Sequence, residues 1–134
     1  MANKILIIDD DEWISLLVKK YLDFEKYDVT AVQQFDTRDD ILSQVTGTSF
    51  DCVLVDYMLV CCTGIDLTRK LKETEECAKS SFVLLTSMTL TTDLSRDILE
   101  LHMRYLKKPF SKEDLLQTIY EATSGEQKGF TDIL

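Results

Sequence analysis

The sequence predicts a doubly wound α/β domain, a parallel sheet with helices on both faces. Five short strand-length segments, three of them continuous apolar runs, alternate with five segments whose apolar residues recur at helical spacing, and the connections are brief. Four of the five strand segments stop on polar residues, so a parallel arrangement gathers chemistry at one sheet edge. At 134 residues, 45% of them hydrophobic, the chain is one domain that can bury a core without disulfide staples. Right-handed crossovers restrict the topology to a few doubly wound orders.

Lys4-Ile5-Leu6-Ile7-Ile8 is a continuous apolar run, as expected of a strand buried on both faces, and it ends in Asp9-Asp10-Asp11-Glu12. A helix from Glu12 to Phe24 follows, with Trp13, Leu16, Leu17, Tyr21 and Phe24 at helical spacing and Ile14, Val18 and Leu22 widening the stripe. Asp10 and Asp11 stand where an N-cap and first-turn acids belong. Capping accounts for one or two of the acids, but not for Asp9, which still belongs to the strand end. Asp28 to Val32 is a polar-interrupted edge strand. Asp36 to Val45 is a short helix capped by Asp36 or Thr37, with Ile41, Leu42 and Val45 inward, closing near Gly47.

Phe50 to Val55 is the third strand and stops on Asp56, with a loop from Met58 to Gly64 behind it. Ile65 to Glu73 is the third helix, and Phe82 to Leu85 a fourth buried strand ending on Thr86-Ser87. Thr92 to Met103 is the fourth helix, its stripe running through Leu94, Ile98, Leu99 and His102. Arg104 to Lys107 is the fifth strand, followed by Lys108-Pro109-Phe110. Ser111 then caps a helix carrying Leu115, Leu116, Ile119 and Tyr120. Residues 1–124 form the domain, and 125–134 read as a mobile tail.

The formal charge of −9 argues against a nucleic-acid footprint and against adhesion to an anionic membrane. No apolar run approaches the roughly 18 residues that span a bilayer, and no signal-peptide pattern precedes the first strand. A cytoplasmic location is expected. Cys52, Cys61, Cys62 and Cys77 form no CxxC pair, and no ligand cluster accompanies His102, so free thiols are expected. Cys61 and Cys62 adjoin on the loop beside Asp56, where oxidation would reach the site.

At the shared strand edge Asp9, Asp10, Asp56, Thr86 and Lys108 converge. Carboxylates at 4 Å repel by about 4 kcal/mol per pair at an effective dielectric near 20, so positive charge must offset them. Lys108 supplies one charge, and a divalent cation is the natural second. Oxygen ligands without Cys or His favour a hard ion, Mg²⁺ in particular. A carboxylate held between Mg²⁺, an ammonium and a hydroxyl is a nucleophile for a phosphoryl group, giving an aspartyl phosphate.

The set Asp9-Asp10, Asp56, Thr86 and Lys108-Pro109 resembles the receiver domain of bacterial two-component response regulators, from about Lys4 to Ala122. The resemblance implies a flavodoxin-like sheet in the order 2-1-3-4-5. It implies that Asp56 accepts phosphate from a sensor histidine kinase or phosphotransfer protein. Asp10 and Asp56 would ligate Mg²⁺ directly, Asp9 through water, and the Met58 carbonyl would complete the protein ligands. Thr86 and Lys108 would bind phosphoryl oxygens, and Tyr105 would turn inward as Thr86 moves. A downstream protein would read the face made by the fourth helix, fifth strand and fifth helix. The chain would catalyse its own phosphorylation and dephosphorylation only, and is otherwise not an enzyme.

Two departures favour an alternative, a phosphate-independent binding module on the same fold. Leu59-Val60 stand where the family shows Met-Pro, removing a fixed φ, and Leu101-His102 replace a Gly-Ala pair. Met58 and Met88 flank the site, and two long apolar side chains there are expected to hinder water and prolong the phosphorylated state. A flavodoxin-like carrier would need a hydroxyl- and glycine-rich loop where Asp9-Asp10-Asp11 stand. A nucleotide fold would show a glycine motif that does not occur. Phosphatases with an aspartyl nucleophile carry a second Asp where Met58 stands.

Overall fold

The computed structural model describes residues 3–25 and 27–124. Strands β1 (Lys4–Ile8), β2 (Asp28–Val32), β3 (Cys52–Asp56), β4 (Ser81–Thr86) and β5 (Arg104–Lys107) alternate with helices α1 (Glu12–Asp23), α2 (Arg38–Gln44), α3 (Gly64–Leu71), α4 (Thr92–Glu100) and α5 (Lys112–Thr123). The sheet order is β2-β1-β3-β4-β5, with every neighbouring pair parallel. That is the doubly wound, flavodoxin-like order implied by the resemblance.

The period-2 alternation of each strand sends its side chains into two cores. Leu6, Ile8, Val53, Val55, Phe82 and Leu84 meet Ile41, Leu67, Leu71 and Ile98 on one face. Ile5, Ile7, Leu54, Val83 and Leu85 meet Val18, Leu22, Leu115 and Ile119 on the other. β3 is buried along its whole length, which is why the central strands read as unbroken apolar runs.

Each helix starts on a side chain that accepts a backbone N–H: Asp11, Thr37, Thr63, Thr91 and Ser111. At α2 the cap is Thr37, in a reciprocal box with Asp40, and Asp36 stands outside it. Among the described residues no helix is long and apolar enough to cross a membrane. The expected tail, 125–134, lies outside the described residues.

Three side-chain expectations are corrected. In α1 the sheet-facing residues are Ile14, Ser15, Val18, Tyr21 and Leu22, while Trp13 (77% exposed), Leu16 (59%) and Phe24 (79%) point to solvent. Apolar residues surround more than half of this helix, and the short β1–α1 connection capped by Asp11 sets which side faces the sheet. α4 ends at Glu100 and not near Met103. His102 leaves the stripe at φ 55°, its N–H donating to the Leu99 carbonyl (3.1 Å) and that of Met103 to Ile98 (3.0 Å). This pair of bonds is a Schellman ending with histidine in the left-handed place. Tyr120 on α5 is exposed, and only half of the Leu115, Leu116, Ile119 and Tyr120 set, Leu115 and Ile119, is fully inward.

Candidate functional site

Three consecutive acids at the end of β1 take three different positions. The Asp9 N–H continues the ladder to the Val32 carbonyl (3.2 Å), which holds its side chain in the sheet, fully buried. Asp9 Oδ1 accepts the Asp11 N–H at 2.9 Å. Asp11 itself caps α1, accepting the Trp13 N–H at 3.0 Å. Asp10, between them, is exposed.

From the neighbouring strand, Asp56 is the last residue of β3 and is buried. The Lys108 ammonium, just past β5, donates to Asp9 Oδ2 at 2.8 Å and to Asp56 Oδ1 at 3.1 Å. Its backbone is tied to the neighbouring strand, since the Lys108 N–H donates to the Thr86 carbonyl (2.9 Å); the Lys108–Pro109 peptide is cis. Thr86 ends β4 buried, its hydroxyl oxygen accepting the Met88 N–H at 3.0 Å. That leaves the hydroxyl proton available for donation. Tyr105 lies half-buried on β5 opposite Leu84, two residues before Thr86 on the adjacent strand.

One carboxylate oxygen each from Asp9, Asp10 and Asp56 lie within 4.8 Å of one another. Burial pushes the Asp56 carboxyl up to about 6, the charge of Asp9 adds to the rise, and Lys108 opposes it. Burial likewise raises Asp9 against its bonds to Lys108 and to the Asp11 N–H. For Lys108, burial works against the charged form, but the bond to Asp9 and the charges of both acids outweigh it and raise its pKa. The ammonium therefore stays charged and leaves excess negative charge among oxygen donors. Three carboxylates with no sulfur or imidazole among them fit a hard divalent cation such as Mg²⁺, which takes one or two carboxylates and keeps several waters.

The loop after β3 is closed by backbone bonds despite lacking the proline. Met58 bridges Thr63, the Leu59 N–H donates to Cys62 (3.2 Å), and the Gly64 N–H donates to Tyr57 (2.7 Å). Gly64 has a steric role that its spacing alone did not disclose, because a Cβ there would run into the Asp56 carbonyl oxygen. Met58, two residues after Asp56, is 62% exposed, and Met88, whose backbone N–H reaches the Thr86 hydroxyl, is 42% exposed. The structure thus brings Asp9, Asp10, Asp56 and Lys108 together, with Thr86 on the adjacent strand end and Tyr105 behind it. Spacing could not reveal that Lys108 stands nearer to Asp9 than to Asp56.

Comparison with known proteins agrees with this geometry. The chain is 32% identical to the transcriptional regulatory protein CpxR of Escherichia coli K12, over 87% of this chain and 47% of that protein. It is 26% identical to the phosphate regulon regulatory protein PhoB of Rhizobium meliloti, over 89% of this chain and 51% of that one. It therefore spans about half the length of these curated relatives. A CheY-like receiver domain from Methanospirillum hungatei superposes with a TM-score of 0.80 at 26% identity, covering 96% of this chain and 98% of that one. Chemotaxis protein CheY4 of Vibrio cholerae shares the fold, with a TM-score of 0.81 at 21% identity over 91% and 99% of the two chains. The response regulator receiver domain family matches residues 5–120, from inside the first strand into the last helix. On the strength of that match the chain belongs to the response regulator receiver domain family.

Proposed function

We propose that Asp56 accepts a phosphoryl group from a sensor histidine kinase or phosphotransfer protein, and that the phosphorylated domain is a switch in two-component signal transduction. The observation that carries this reading is the Lys108 ammonium shared between buried Asp9 and Asp56, at 2.8 and 3.1 Å. Asp10 and Asp56, with Asp9 through water and the Met58 carbonyl, would hold Mg²⁺, which would supply positive charge against the carboxylates and the transferring oxygens. One Asp56 oxygen bonds to phosphorus as the donor's bond to phosphorus breaks. Lys108 and the Thr86 hydroxyl proton then stabilise the phosphoryl oxygens.

Drawing Thr86 toward the phosphoryl group opens room for Tyr105 to turn inward, which biases the α4, β5 and α5 face toward a downstream protein. The domain acts on no substrate other than itself, and its place is the cytoplasm. The alternative of a phosphate-independent module rests on the altered loop and on Leu101-His102 in place of Gly-Ala; of the two, the loop keeps its closing backbone bonds. A DrrB receiver domain, 27% identical with a TM-score of 0.76, is described in a BeF₃-activated form, and the same probe suits this chain. Beryllofluoride with Mg²⁺ is expected to move the amide NMR signals of Thr86, Tyr105 and α4, and to leave Asp56→Asn unmoved. An unchanged parent spectrum would rule out the switch.

A further inference from the structure

Cys61 and Cys62 lie outside the carboxylate site, in the loop closed by the Met58–Thr63 bridge, and both are half-buried. Their sulfurs stand 3.5 Å apart. A disulfide requires about 2.05 Å, and adjacent Cα atoms at about 3.8 Å fall below the usual disulfide range. Two sulfurs bound to one centre at about 2.3 Å, by contrast, stand roughly 3.3–3.8 Å apart for bond angles of about 90–110°. The pair is spaced to share a bridging atom. Beside it opens a pocket of about 250 Å³ lined also by Thr37, Arg38 and Asp39.

The donor set narrows the occupant. Among the described residues no carboxylate, imidazole or third thiol joins the pair in a ligand cluster, so a tetrahedral zinc ion would lack half its protein ligands. Burial and the hydrogen bond with Cys61 push the Cys62 thiol up to about 12, which disfavours oxidation through a thiolate. A centre that condenses with protonated thiols, is content with two sulfurs and keeps one oxygen ligand suits these facts.

We propose that Cys61 and Cys62 form a dithiol site for trivalent arsenic presented as its hydroxide. Two As–O bonds break and two As–S bonds form, each thiol proton leaves with a hydroxyl as water, and arsenic remains trivalent. The product is a cyclic dithiolate retaining one hydroxyl, with the pocket beside Arg38 and Asp39 accommodating it. Binding needs neither Mg²⁺ nor phosphate, so its outcome is independent of the signalling reading.

Reduced protein treated with phenylarsine oxide and read by intact-mass spectrometry tests the site. One phenylarsenic group per chain is expected, with loss of one water, removed by excess ethanedithiol and resisting a monothiol at the same concentration. Cys61→Ser and Cys62→Ser, each checked for folding by circular dichroism, are expected to bind roughly 100-fold more weakly because the second contact is lost. Cys61→Ala and Cys62→Ala repeat the comparison without a hydroxyl, should either serine variant unfold. Absence of an adduct, an adduct that survives in these variants, or recovery of the pair as a disulfide from the reduced sample would overturn the assignment.

Discussion

Asp56 is held in a balance that its neighbours set. Burial and Asp9 push its carboxyl up to about 6, from an ordinary 3.8, and Lys108 restrains the rise. Because the folded value lies above the unfolded one, the stabilisation from the protonated form is present below about pH 4 and is lost as pH rises through about 6. Asp56→Asn removes that loss and leaves Lys108 paired with Asp9. Without Mg²⁺ the variant is expected to be more stable at pH 7 by about 1 kcal/mol, solvent screening at the open edge of the site limiting the gain. Its stability should also vary less between pH 4 and 6, and urea denaturation at several pH values reads both effects. A less stable variant would show that the Lys108–Asp56 attraction outweighs burial. Met58 and Met88 bear on lifetime, because side chains at the mouth of the site slow the approach of water to an acyl phosphate. Met58→Asn and Met88→Glu are each expected to speed dephosphorylation several-fold in a phosphate-release assay, and rates equal to the parent's would mean that the methionines only fill space. At this scale Asp9, Asp56 and Thr86 were legible because each ends an apolar run, and Lys108 because it follows the short last strand before Pro109. The division of labour among Asp9, Asp10 and Asp11 was not, since it depends on how β1 hands over to α1.

Among the elements, α4 departs most from its pattern. Apolar spacing continued through His102, but β5 has to begin at Arg104, so the helix closes early with His102 at φ 55°. Neighbouring α3 holds that end in place. The Lys72 ammonium donates to the Leu101 carbonyl at 2.6 Å, and Arg69 pairs with Asp97 at 3.3 Å. A left-handed conformation costs a side chain roughly 1–2 kcal/mol and glycine almost nothing. His102→Gly is therefore expected to stabilise the domain by about 1 kcal/mol in urea denaturation; a loss of stability would mean that the imidazole's own contacts matter more than its backbone. α1 teaches a related point, because a helix apolar on more than half its circumference leaves its rotation open to sequence reasoning. α5 begins at the cap that Ser111 signalled, but Tyr120, counted in its apolar stripe, faces solvent.

For the molecule as a whole, alternation of strands and helices was enough to establish the α/β class, and unbroken apolar runs marked β1, β3 and β4 as central. Strand order was not derivable from periodicity, which is blind to neighbours, and came from the resemblance. The two cores fix the sheet, and the sheet fixes an edge at which residues as distant as Asp9 and Lys108 meet. The central claim is that this meeting makes Asp56 a magnesium-dependent phosphoryl acceptor. Intact-mass spectrometry after incubation with acetyl phosphate tests it most directly. The account predicts one added phosphoryl group per chain with Mg²⁺, none after chelation and none in Asp56→Asn; a parent mass that does not rise, or a rise that persists without Asp56, would contradict it.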